Sequence, residues 1–104
     1  MASSKSFVDY VVDQLGEGGS ARPMMGEYAL YYRGKVIGVI CDNRVFLKDL
    51  LPAADLRDFR REQPYAGARP MLVIEDPDDA VLLRRTAQTL WEILPQPKPR
   101  KKRD

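Results

Sequence analysis

Histidine is absent from the 104 residues, and cysteine and tryptophan occur once each. Without an imidazole there is no histidine-based catalytic triad and no histidine metal ligand. The lone Cys41 can close no internal disulfide, which suits a reducing compartment. No apolar run approaches the roughly 20 residues needed to span a bilayer. The first residues lack the basic start and apolar core of a secretory signal, so the expected location is the cytoplasm. An excess of charge is also missing, since 17 basic and 15 acidic side chains leave a formal +2. That small total hides a segregation. Lys98, Arg100, Lys101, Lys102 and Arg103 against Asp104 put residues 98–104 at +4, whereas residues 1–97, with 12 basic and 14 acidic side chains, stand at −2. A mildly acidic body with a basic end argues against a nucleic-acid footprint on the body itself.

A chain of this length builds one hydrophobic core and leaves little apolar area for a deep ligand cavity. The expected organisation is a flexible amino terminus over residues 1–6, a single domain over 7–94 and a proline-rich basic tail over 95–104. Ser6 reads as the cap of a helix starting at Phe7, with Asp9 reciprocating and Val8, Val11, Val12 and Leu15 on one face. Gly16 to Gly19 stop that helix, and Ser20 and Pro23 belong to the connection that follows.

Extended structure is expected after Met24-Met25-Gly26. Glu27 to Tyr32, Lys35 to Cys41 and Arg44 to Lys48 read as three strands, joined by a tight reversal at Arg33-Gly34 and by a two-residue turn at Asp42-Asn43, where Asn tolerates positive φ. Strict alternation puts Val36, Gly38 and Ile40 on one face of the central strand and Ile37, Val39 and Cys41 on the other. Both faces are then apolar, which predicts helices on one side and a partner or a returning helix on the other. Gly38 is expected to admit a close neighbour, a helix or an aromatic ring. Pro52 to Arg61 predicts a short helix, Met71 to Glu75 a further strand, and the segment after Asp76-Pro77 a last helix with Ala80, Leu83, Ala87, Leu90, Trp91 and Leu94 along its apolar stripe.

Three stretches carry a resemblance to a known family: Arg22-Pro-Met-Met-Gly-Glu-Tyr-Ala-Leu-Tyr-Tyr32, Gly34-Lys-Val-Ile-Gly-Val-Ile-Cys-Asp-Asn-Arg-Val-Phe-Leu-Lys48 and Arg69-Pro-Met-Leu-Val-Ile-Glu-Asp-Pro77. Over Phe7 to Leu94 the chain resembles the amino-terminal domain of the TfoX/Sxy family, associated with regulation of transformation competence. Family members often have Met-Phe-Gly-Gly where this chain has Met24-Met25-Gly26-Glu27, and a tyrosine-rich version of Met71 to Glu75. The resemblance implies an α+β fold, an antiparallel β-sheet packed by helices in the approximate order α-β-β-β-α-β-α, of secretion-chaperone-like architecture. It also implies a homodimer and a non-enzymatic regulatory or adaptor role through protein contact, transcription-associated or competence-associated, with no cofactor. The full-length competence regulators carry a second domain, for which this sequence has no room after Leu94.

The candidate protein interface is Met24, Met25, Tyr28, Tyr31 and Tyr32, because unbranched thioethers adapt to irregular surfaces and tyrosines bring large amphipathic rings. Core packing competes for Met24, Met25 and Met71. Cys41 reads as a structural thiol, since no base accompanies it and Asp42 raises its pKa. Asp42, Asp49, Asp55 and Asp58 define no convergent carboxylate pair, so no catalytic, cofactor or metal residue is assigned. Trp91 is expected to anchor the last helix on the sheet. Lys98, Arg100, Lys101, Lys102 and Arg103 are the candidate nucleic-acid contacts of an alternative reading, an accessory protein with weak nonspecific affinity for DNA or RNA.

Overall fold

Three two-residue turns build most of the sheet. Met25-Gly26, Arg33-Gly34 and Asp42-Asn43 each hold two consecutive positive φ angles, 48° and 87°, 50° and 85°, and 54° and 56°. That is the mirror-image turn whose twist matches the strands it joins. In the computed structural model, which describes residues 3–52, 55 and 59–95, these turns link β1 (Gly19–Met24), β2 (Glu27–Tyr32), β3 (Lys35–Cys41) and β4 (Arg44–Leu47). The chain returns as β5 (Arg61–Glu62) and β6 (Met71–Ile74), and β6 inserts beside β4 to give the order β1-β2-β3-β4-β6-β5. Every pairing is antiparallel. Among the described residues two helices complete the fold, α1 (Lys5–Leu15) and α2 (Ala80–Ile93). The expected α+β class and approximate element order hold.

The differences from the sequence reading are local. Gly19 to Met24, read as a connection because of Gly19, Ser20 and Pro23, is a six-residue strand. It survives its proline because it is an edge strand, with no ladder on one side to interrupt. The helix expected over Pro52 to Arg61 falls largely on residues outside the described ones, and its last residue, Arg61, is in β5, paired with Leu72. The first helix starts two residues early. Ser4, not Ser6, is its cap, accepting from the Phe7 amide at 3.2 Å, while Asp9 pairs with Lys5 at 3.2 Å. Ser3, ahead of the helix, is already buried.

Both helices cover one face of the sheet. Val8, Val11 and Leu15 of α1 and Leu83, Ala87 and Leu90 of α2 pack on Leu30, Ile37, Ile40, Val45, Leu47, Leu72 and Ile74. The helices are tied where the Tyr10 hydroxyl donates to the Asp78 carboxylate and Gln14 Nε2 donates to the Pro77 and Asp78 carbonyls, both at 3.0 Å. Asp79 caps α2 by accepting from the Leu82 amide at 3.0 Å.

Strict alternation fails in β3. Leu30 pairs with Gly38 but the next residue, Tyr31, pairs with Val36, so β3 spends one extra residue, Ile37, in a β-bulge. A bulge resets the pleat. Ile37 joins Ile40 in the helix-side core, while Val39 and Cys41 belong to the opposite cluster. The expected grouping of Ile37 with Val39 and Cys41 is thus overturned. Gly38 does admit a close neighbour, but it is the adjoining strand: a Cβ there would lie 2.0 Å from the Phe46 carbonyl oxygen.

The same shift turns Lys35 toward the helices. Its side chain is buried, with Nζ donating to the Trp91 and Leu94 carbonyls at 2.7 Å each and lying 4.4 Å from the Trp91 ring centroid. A cation at a helix carboxyl end meets unpaired carbonyls and the negative end of the helix dipole. Trp91 is half-buried, its indole N–H donating to the Arg33 carbonyl at 3.2 Å, so it does anchor α2 to the sheet, at the β2–β3 turn.

The other face covers itself. Val39, Cys41, Phe46 and Val73 are buried there, with Met24 and Met71 packed against them. The Arg44 guanidinium lies 5.1 Å from the Phe46 ring centroid. Glu62 holds it with two bonds of 3.1 and 2.9 Å and also accepts from Arg60 at 2.7 Å. Among the described residues this face carries an ion-pair cluster and no returning helix, one of the two covers expected there.

Replacing Lys35 by Met keeps the apolar stem and removes both helix-end bonds. Equilibrium denaturation should show a loss of about 1.5–3 kcal/mol, the range for hydrogen bonds to a charged group. An unchanged midpoint would mean that the cap contributes nothing.

Candidate interaction surface

The five residues proposed as an interface divide among three environments. Tyr28 and Tyr32 are half-buried on the helix side, against the main core. Tyr31 stands on the opposite face, with the Arg22 guanidinium 5.4 Å from its ring centroid. Met24 packs on the outer cluster, and Met25, in the β1–β2 turn, is 98% exposed. The structure thus brings Met24 and Met25 together and separates them from the tyrosines.

It adds neighbours that the sequence reading did not single out. Met24, Met25, Glu27, Cys41 and Tyr65 line a cavity of about 210 Å³, and Tyr65 is 53% exposed. Tyr65 comes from the turn-rich segment before β6, and no periodicity marks it.

Glu27 is the fixed point of this end of the molecule. Its Oε1 accepts from the Ser3 amide and its Oε2 from the Asp42 amide, both at 2.9 Å. Beside it the Asn43 amide donates to Ser3 Oγ and the Ser4 amide to Asn43 Oδ1, again at 2.9 Å. One carboxylate therefore clasps the start of the chain to the β3–β4 turn. Burial alone would push its pKa up, but the bonds from Ser3 and Asp42 outweigh that and hold it below the ordinary 4.5.

Cys41 stands at the cavity wall. Burial, then the negative charges of Glu27 and Asp42, raise its pKa, so the neutral thiol dominates. Asp49 is engaged by Arg61 at 2.6 Å and Asp55 is exposed, while Asp58 lies outside the described residues. Among the described residues no three His, Cys, Asp or Glu side chains are placed to hold a metal ion. Lys98, Arg100, Lys101, Lys102 and Arg103 also lie outside the described residues. No helix among the described residues is long and apolar enough to cross a membrane. What this end of the molecule offers is an apolar hollow with a methionine standing free at its rim.

The chain is similar to a protein of Spirochaeta aurantia described as an uncharacterised 12.7 kDa protein in the trpE 5′ region. The two are 42% identical over 112 aligned positions, covering 97% of this chain and 91% of the relative. No protein-family model matches the chain, and no solved structure does.

Because Glu27 titrates lower folded than unfolded, its contribution is complete above its ordinary value of 4.5 and disappears as pH falls through the folded value. Glu27→Gln should be less stable than the parent at pH 7 and should lose less stability below about pH 4.5. Thermal melts across pH 3–7, parallel for both proteins, would contradict the clasp.

Proposed function

The chain belongs to one family with the 12.7 kDa Spirochaeta aurantia protein, and we propose that it is a non-enzymatic regulatory or adaptor domain of TfoX/Sxy type, working by protein contact. On this reading it acts in the cytoplasm as a homodimer with a regulatory protein partner, in transcription-associated or competence-associated control. The resemblance of Arg22 to Lys48 and Arg69 to Pro77 to that family supports the process, and the hairpin end supports the mode of action.

Met25 is the observation that carries the reading. A side chain at positive φ is strained by about 1–2 kcal/mol unless it is glycine or a short polar residue, and Met25 has φ 48°. It is also 98% exposed, gaining no burial in return. Asn at this position would make the favoured Asn-Gly turn. A residue that is wrong for its turn and wrong for solvent points to something outside the chain. A thioether beside a 210 Å³ apolar hollow suits the insertion of a partner's aliphatic or aromatic side chain.

Met25→Asn separates folding from binding. Thermal stability should rise by roughly 0.5–1 kcal/mol as strain is relieved. Self-association in analytical ultracentrifugation and capture of a protein partner from nuclease-treated extract should both weaken. Unchanged association and capture, with the stability gain present, would remove Met25 from the interface and the reading with it.

A further inference from the structure

A second surface lies at the opposite end of the molecule, and its argument is independent of the adaptor reading. The acidic residues Asp42, Glu75, Asp76, Asp78 and Asp79 gather at the β3–β4 turn, the end of β6 and the start of α2. The far end, around the β2–β3 turn and the close of α2, carries a groove of about 340 Å³ lined by Tyr31, Gly34, Lys35, Val36, Lys48, Leu94 and Pro95. No carboxylate is among these residues. Arg22, across the β1–β2 pairing, adds its guanidinium over the Tyr31 ring at 5.4 Å. Among the described residues neither Arg22 nor Lys48 pairs with a carboxylate.

Pro95 lines this groove, and the next cations in the chain are Lys98, Arg100, Lys101, Lys102 and Arg103.

We propose that this groove binds single-stranded nucleic acid, with Arg22 and Lys48 meeting phosphates and Tyr31 providing a platform for a base. Cations supply sequence-independent affinity for a phosphate backbone. Aromatic rings and guanidinium planes are the surfaces on which unpaired bases stack. An acidic peptide would answer the charge and leave the ring and the guanidinium plane unused. A duplex keeps its bases stacked on one another and would leave them unused as well. Lys35 is not a contact in this proposal, because its ammonium is committed to the end of α2.

The test uses the full chain and a fluorescently labelled oligothymidylate of about 20 nucleotides, a length sufficient for one such site, read by anisotropy in a salt series. The parent protein should bind at low salt, with affinity falling linearly in log–log form. Arg22→Gln with Lys48→Gln should reduce the steepness of that line by about 1.4, the value for two lost single-strand phosphate contacts. Tyr31→Leu should weaken binding roughly 5- to 150-fold, the loss of one stacked base, at unchanged slope. Circular dichroism melts confirm that each variant is folded, and the double charge variant, altering side chains outside the core, keeps the test decisive if Tyr31→Leu unfolds. Absence of binding at low salt would overturn the proposal. So would parental affinity and slope in both variants, which would leave the carboxy-terminal cations acting alone. Equal competition by an oligoglutamate of the same charge would overturn it in favour of an acidic protein partner.

Discussion

Between Gly38 and Val36 the third strand uses one residue more than the two adjacent residues of the second strand that it pairs with. The side-chain period of a strand is two, so a single extra residue exchanges the faces of everything before it. In the regular pleat Lys35 would point away from the helices and Val36 toward them. With the extra residue Lys35 points at the carboxyl end of α2, and Val36 lies outside beside its partner Tyr31. Gly38 makes the crowding tolerable, since a Cβ would meet the backbone of β4. The anchoring of the last helix and the composition of the outer groove both follow from this one register shift.

Much of the fold was legible because the signals were local. Arg33-Gly34 and Asp42-Asn43 are turn dipeptides with their own chemistry, and they fix the hairpins whatever else the chain does. The helical stripes were legible for the same reason, through Val8, Val11 and Leu15 and through Leu83, Ala87 and Leu90. What escaped was non-local. Nothing near Gly19 or Pro23 reveals that an edge position excuses both, and near Ile37 only the adjacent Gly38 points to an extra residue. A glycine inside a strand does hint at a bulge, and at Gly38 that hint was there to be taken.

The candidate surfaces were legible only as residue types. Met24 and Met25 stood out by composition, yet only the turn geometry distinguishes the packed methionine from the free one. The meaning of Glu27 is visible only once Ser3 and Asp42 are seen to share its carboxylate. Tyr31 and Arg22 are ordinary residues until β1 is recognised as a strand that brings them together. The resulting molecule has helices and a packed core on one side, a self-sealed outer face, and two ends of different chemistry. One end carries an apolar hollow, the Glu27 clasp and the clustered acidic side chains, and the other a groove lined by Tyr31, Lys35 and Lys48.

The most direct measurement of the register shift is the pattern of nuclear Overhauser contacts from Lys35 and Val36 in solution. The account predicts contacts from the Lys35 ε-methylene protons to the Trp91 indole ring and from the Val36 methyls to the Tyr31 ring. Val36 methyls in contact with Ala87 or Leu90, together with a Lys35 side chain averaged in solvent, would mean a regular third strand and would contradict the account at its base.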